Sequence, residues 1–134
     1  MRRGDEDGTR HLARRSAVLR PLTRIEAELT ALEMTQLRIL STQAAGSDKP
    51  DPRSSVLKLK GSQLQEDISE LLVDVLGPQG LDFVTDRAQG EGLSDLPLGA
   101  VDALPAYFNT RKVTIYGGSS EVQRGIISKA LLGL

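Results

Sequence analysis

The residues best suited to chemistry stand together near the C-terminal end, in the run Tyr116-Gly117-Gly118-Ser119-Ser120-Glu121. Two glycines in a row remove Cβ atoms, which permits unusual backbone angles and lets a ligand approach the main chain closely. A helix that opens just after them turns its free N–H groups and the positive end of its dipole toward a phosphate, a ribose hydroxyl or a carbonyl oxygen. Ser120 followed by Gln123 also matches a capping box, in which hydroxyl and amide side chains satisfy two otherwise open backbone groups. The run therefore reads either as a tight capped turn or as a binding turn, and one Gly-Gly pair does not separate the two.

Composition removes several other chemistries. The chain has no cysteine, which excludes a disulfide framework, a thiolate metal site and a thiol nucleophile. A single histidine, His11, cannot build a histidine metal cluster, and among Arg10, Arg14 and Arg15 it reads as a solvated surface residue. With a net charge of −1 there is no overall basic field for nucleic acid or an anionic membrane. Two Phe, two Tyr and no Trp leave little to stack on bases. No apolar run is long enough for a membrane span, and the charged start MRRGDEDGTRHLARR fits neither a secretory signal nor a transit peptide, so the expected location is cytoplasmic.

The elements that must position the Gly-Gly-Ser-Ser run are helical. At 134 residues the chain can bury one core, and with 39% hydrophobic and 26% charged residues it should fold as an ordinary globular domain. Residues 1–19 are expected to be a charged, poorly ordered lead-in, and 20–134 the folded unit. Leu22, Ile25, Leu29, Leu32, Leu37 and Leu40 keep near one helical face, which predicts a helix over 21–44 with Pro21 in its first turn. Asp51-Pro52 is a start signal for a second helix over 52–76, striped by Val56, Leu64, Ile68, Leu71, Leu72 and Val75.

Gly77-Pro78 stops that helix, and 77–97 reads as a long connection rich in glycine. A third helix is expected at 98–111, its start drawn toward 104 by Pro105, with Val101, Leu104, Tyr107 and Phe108 on the buried face. VTIY at 113–116 is too short to pair as a strand. The last helix should open near Ser119 or Ser120 and turn Val122, Ile126, Ile127, Ala130 and Leu131 inward. The fold class is all-α, an up-and-down four-helix bundle.

IYGGSSEVQRGIISKALLGL at the end of the chain resembles the closing segment of acyl-CoA dehydrogenases, whose last helix opens with Tyr-(Glu or Gly)-Gly-(Thr or Ser)-Ser-Glu-(Ile or Val)-Gln. SSVLKLKGSQLQEDISELLVDVLGPQGL at 54–81 is similar to the family's second long helix of the same domain, and ELTALEMTQLRIL at 28–40 to the helix before it. The resemblance covers roughly 20–134 in order, and it implies the C-terminal helical domain of that family.

In whole members of the family an N-terminal helical domain and a middle β domain precede this bundle, and flavin adenine dinucleotide (FAD) lies among them and across a subunit interface. The implied reaction is α,β-dehydrogenation of an acyl-CoA thioester, a step of lipid metabolism. By resemblance, Ser119 stands where a hydroxyl contacts the adenylate half of the flavin, and Glu121 where a Gln or Glu reaches ribose hydroxyls. Gly117 and Gly118 complete that cofactor turn. Gly77 and Gly80 fall at a glycine-rich turn that approaches the pyrophosphate of a flavin held mainly by another subunit; the helix-stop reading stays open beside it. There the chain departs from the family, with Asp74 in place of a Gln and Pro78 in place of a Gly. A carboxylate beside a pyrophosphate is electrostatically unfavourable, which argues against a direct Asp74 contact.

The largest departure is Gly117, where many members carry the catalytic glutamate. Glycine keeps only the backbone N–H that can help polarise the thioester carbonyl. Glu121 does not replace the base, because it sits about one helical turn, roughly 5.4 Å, further on. No catalytic residue is assigned in this chain. The resemblance implies FAD, an acyl-CoA substrate in the full enzyme, and a homo- or hetero-oligomer of dehydrogenase subunits, with the isolated chain inactive and separated from the rest by truncation, frameshift or a split gene. The alternative is a non-catalytic helical module that completes a partner dehydrogenase subunit.

Overall fold

The computed structural model describes the backbone of residues 3–46, 51–81 and 100–133, and within these the side chains from 15 onward except those of 79 and 80. The His11 side chain, the surroundings of Gly80, and most of the expected long connection lie outside the described residues. Four α-helices follow one another: α1 (Arg3–Ala44), α2 (Arg53–Leu76), α3 (Ala100–Thr110) and α4 (Ser120–Ile127). Short 3-10 turns extend α2 at Gly77–Leu81 and α3 at Arg111–Thr114, and a π-helical turn, Ser128–Leu132, closes α4. No strand occurs among the described residues, in line with the all-α expectation.

α1 starts at Arg3, well ahead of the expected 21, and passes through Pro21. Proline removes one N–H and crowds the carbonyl four residues back, which costs about 3 kcal/mol in a helix interior but does not forbid continuation. Ala17, Leu19 and Arg20 just before it are good helix formers, so the cost stays local to one turn. α3 likewise starts at Ala100 rather than near 104, with Pro105 inside it. Ala100 and Ala103 are each only 1% exposed, so packing of that first turn outweighs the proline.

α1 and α2 are antiparallel. Arg53 donates to Thr42, Lys60 pairs with Glu28 at 3.2 Å, and Arg24 lies near Asp67, so the contacts climb one helix as they descend the other. The seam on α1 is narrower than the sequence suggests. Ile25 and Ile39 are buried and Leu32 half-buried, an interval of seven, whereas Leu22, Leu29, Leu37 and Leu40 are exposed. On α2, Leu64 is the deepest apolar side chain at 3% exposure, while Ile68, Leu72 and Val75 face outward.

The other side of α2 receives α3 and its 3-10 extension. Ser55, Ser62 and Ser69 are buried there, again seven residues apart, and their small side chains let the second layer approach closely. Two of the hydroxyls are bonded across or along the helix: Ser69 donates to Glu66 O at 2.8 Å, and Ser62 Oγ lies 2.8 Å from Lys58 O and 3.1 Å from Val113 O. Arg111 stacks on the Tyr107 ring at 4.2 Å and donates to Glu66 O at 3.2 Å, tying the end of α3 to α2. Val101, Leu104 and Tyr107 are half-buried, but Phe108 is exposed, contrary to its expected place on the buried face. Val122, Ile126 and Leu131 of the last helix are also exposed, and Ala130 with them, leaving Ile127 as the half-buried anchor against α2.

Helix ends follow the local sequence. The Asp51 carboxylate accepts the Arg53 N–H at 2.9 Å and also holds the Arg53 guanidinium, so the aspartate serves the start of α2 as expected. Gly77 ends the helix with φ +60°, and its N–H reaches back to Val73 O.

Candidate functional site

The segment 113–121 folds as a pedestal and a turn. Val113 is buried against α2 within the 3-10 extension of α3, which ends at Thr114; Ile115 and Tyr116 then turn out into solvent. Gly117 (φ +70°) and Gly118 (φ +96°) both occupy the left-handed region, where a Cβ is disfavoured. Their spatial needs differ. A Cβ at Gly117 would meet open space, whereas one at Gly118 would sit 2.6 Å from Gln123 Nε2.

The cap differs from the expected one. Ser119, not Ser120, is the N-cap of α4; its φ and ψ are extended and its hydroxyl oxygen accepts from the Val122 N–H at 3.5 Å. Gln123 does not reach back to the cap residue. Its amide donates to Gly117 O at 3.2 Å and so braces the turn from the helix side. The one-residue shift arises because two left-handed glycines bring Ser119, not Ser120, to the extended conformation that a cap needs.

Glu121 occupies the first turn of α4 and is fully solvent-facing. Its own backbone N–H and the Ser119 hydroxyl, followed by the charges of Arg124 and Lys58, hold its carboxyl below the usual range, so it is an anion that can accept hydrogen bonds. Ser119 and Glu121 thus adjoin each other on the turn.

Beneath the turn lies a cleft of about 270 Å³ between α2 and residues 113–117, lined in part by Lys58, Ser62, Gln65, Tyr116 and Gly117. The Lys58 ammonium donates to Val113 O at 3.2 Å and to Thr114 O at 3.3 Å. Neither Lys58 nor Ser62 had been singled out in the sequence. The available signal was the interval of seven shared by Ser55, Ser62 and Ser69, which marks a close-packed face of α2.

Gly77 lies elsewhere. It caps the far end of α2, and at a rise of about 1.5 Å per residue it stands on the order of 20 Å from Ser62 and the Gly117–Gly118 turn. One chain therefore does not gather the two groups of glycines around one compact site. No group of three or more potential metal ligands occurs among the described residues, and no described helix is long and apolar enough to cross a membrane.

The four helices carry an exposed glycine turn at the start of the last one. The family model for the acyl-CoA dehydrogenase C-terminal domain matches residues 1–132, and the chain belongs to that family. It is 32% identical over 127 residues to the acyl-CoA dehydrogenase IpdE1 of Mycobacterium tuberculosis (strain ATCC 25618 / H37Rv). That match covers 92% of this chain but 30% of the relative. No solved structure gives a significant match.

Proposed function

We propose that the chain supplies the adenosine-contacting turn of an FAD-dependent acyl-CoA dehydrogenase, and that dehydrogenation of an acyl-CoA thioester belongs to the assembled enzyme and not to this chain alone. The observation that carries the reading is the pairing of a side-chain-free turn at Gly117 and Gly118 with the ionised, exposed Glu121 carboxylate. A carboxylate at that point suits the O–H donors of a ribose and opposes a phosphate, so the turn fits the adenosine end of the cofactor better than its pyrophosphate. When bound in the full enzyme, the flavin supplies hydride acceptance.

The chain's own residues orient and exclude. Ser119 fixes the start of α4, Gly117 leaves open space for a ring or sugar against the main chain, and Glu121 accepts from hydroxyls. Gly117 offers a backbone N–H toward a substrate carbonyl but no side chain that can take a proton. The base for α-proton removal must then come from outside this chain. Gly77 and Gly80, at the far end of α2, would serve the flavin of a neighbouring subunit.

Titration of the isotopically labelled chain with adenosine diphosphate tests the reading. Amide signals of 117–122 should move, and Glu121→Gln should weaken the effect roughly tenfold, the size of one lost hydrogen bond to a charged group. Shifts absent both from the chain alone and from its complex with a dehydrogenase subunit would overturn it.

A second reading is favoured by the apolar side that α1 and α2 share, where Leu22, Leu29, Ile68 and Leu72 stand exposed. In that reading the chain is an assembly module that docks on a dehydrogenase subunit and completes its adenosine site without adding a catalytic group.

A further inference from the structure

The Gly117–Ser119 turn has little of its own to hold it. Ile115 and Tyr116 are 69% and 57% exposed, both glycines are left-handed, and Gln123 gives one side-chain hydrogen bond at the surface. What fixes the turn's direction has to act just before it, where the chain leaves the 3-10 extension of α3.

That exit is held by one cation. The carbonyls at the end of a helix lack N–H partners and carry the negative end of its dipole, so an ammonium there satisfies both. Lys58 reaches from α2 and donates to Val113 O and Thr114 O together, and Ser62, one turn further along α2, adds a contact at 3.1 Å to Val113 O. Ile115 and Tyr116 in turn donate to Lys112 O, so the peptide planes on either side of the exit are fixed in one orientation. The charge of the same ammonium is the smallest of the influences that hold the Glu121 carboxyl low. Lys58 therefore touches the backbone before the glycines and influences the side chain after them.

We propose that Lys58 is the positioning residue of the Gly-Gly-Ser-Ser turn, a cationic clamp on the carbonyls of Val113 and Thr114 that sets the angle at which Gly117 to Glu121 leave the 3-10 extension of α3. Its effect on a ligand rests on the adenosine reading given above; its effect on the turn does not.

Hydrogen exchange of the whole chain, compared among wild type, Lys58→Met, Lys58→Arg and Ser62→Ala, reads the clamp without any ligand. Exchange at 115–119 should quicken roughly tenfold in Lys58→Met, less in Ser62→Ala, and return toward wild type in Lys58→Arg, with α1 and the C-terminal half of α2 unchanged. Unchanged exchange at 115–119 in both Lys58→Met and Ser62→Ala overturns the proposal. So does a loss of protection spread evenly over α1 and α2, which would make Lys58 a general packing residue. Titration of the same variants with adenosine diphosphate separates the two readings: local loosening with no binding by wild type sinks the adenosine assignment and leaves the clamp standing.

Discussion

At the scale of single residues, the two glycines of the turn are not equivalent. Gly118 is required twice over, by a φ of +96° and by Gln123 Nε2 standing 2.6 Å from where a Cβ would be. Gly118→Ala should cost about 1–2 kcal/mol from the left-handed backbone, plus whatever Gln123 loses in moving off Gly117 O. Thermal unfolding of Gly118→Ala, Gln123→Ala and the double variant should show a double-variant cost below the sum of the singles, because removing Gln123 relieves the clash. Gly117→Glu places in this chain the residue that many family members carry, and with nothing within 4 Å of its Cβ it should cost only about 1 kcal/mol of backbone strain. The turn thus leaves open space for a side chain at position 117.

Among the helices, α1 and α2 show opposite relations to their local signals. α1 runs through Pro21 and loses the hydrogen bond that the Ala17 carbonyl would accept. Pro21→Ala should therefore stabilise the chain, by up to about 3 kcal/mol less the contact that the ring makes beside Ile25 and Leu71. A lower unfolding midpoint in urea would show instead that the proline ring is needed for the α1 and α2 packing. α2 begins where its sequence says, on Asp51. The Arg53 side chain and then its backbone N–H hold the Asp51 carboxyl below its ordinary value. A folded value below the unfolded one means that this contribution is complete above the unfolded carboxylate range and is lost as pH falls through the folded value. Stability of wild type should thus decline more steeply below about pH 4 than that of Asp51→Asn, as followed by circular dichroism at graded pH.

For the whole molecule, the decisive feature is an apolar side that none of the described residues covers. The outward leucines of α1 lie about a quarter turn from its seam with α2, and because the two helices are antiparallel, Ile68, Leu72 and Val75 fall on the same side of the pair. Exposures of 39% at Leu22, 51% at Leu29 and 42% at Leu72 are high for large side chains grouped together on one surface. The chain spans 30% of the length of its mycobacterial relative. Sedimentation of the purified chain should reveal association that grows with concentration, and Leu22→Glu with Leu72→Glu should return it to monomer. A wild-type chain that stays monomeric at high concentration would remove support from the assembly reading.

The sequence by itself determined the helical class, the stops at Gly77 and the turn at Gly117 and Gly118, and the family, because these depend on local rules: glycine where φ is positive, an aspartate before a first turn, a motif written in consecutive residues. It also placed Ser119 and Glu121 together, since neighbours in a helix start cannot be separated. Tertiary structure decided which leucines are inside, because a helix with apolar residues over a wide arc does not say which part of the arc a neighbour will cover. It let α1 and α3 run through Pro21 and Pro105, moved the cap from Ser120 to Ser119, and set Gly77 at the opposite end of α2 from the Gly117–Gly118 turn. The role of Lys58 is likewise tertiary: its ammonium rests on carbonyls more than fifty residues away, a contact that no local pattern encodes.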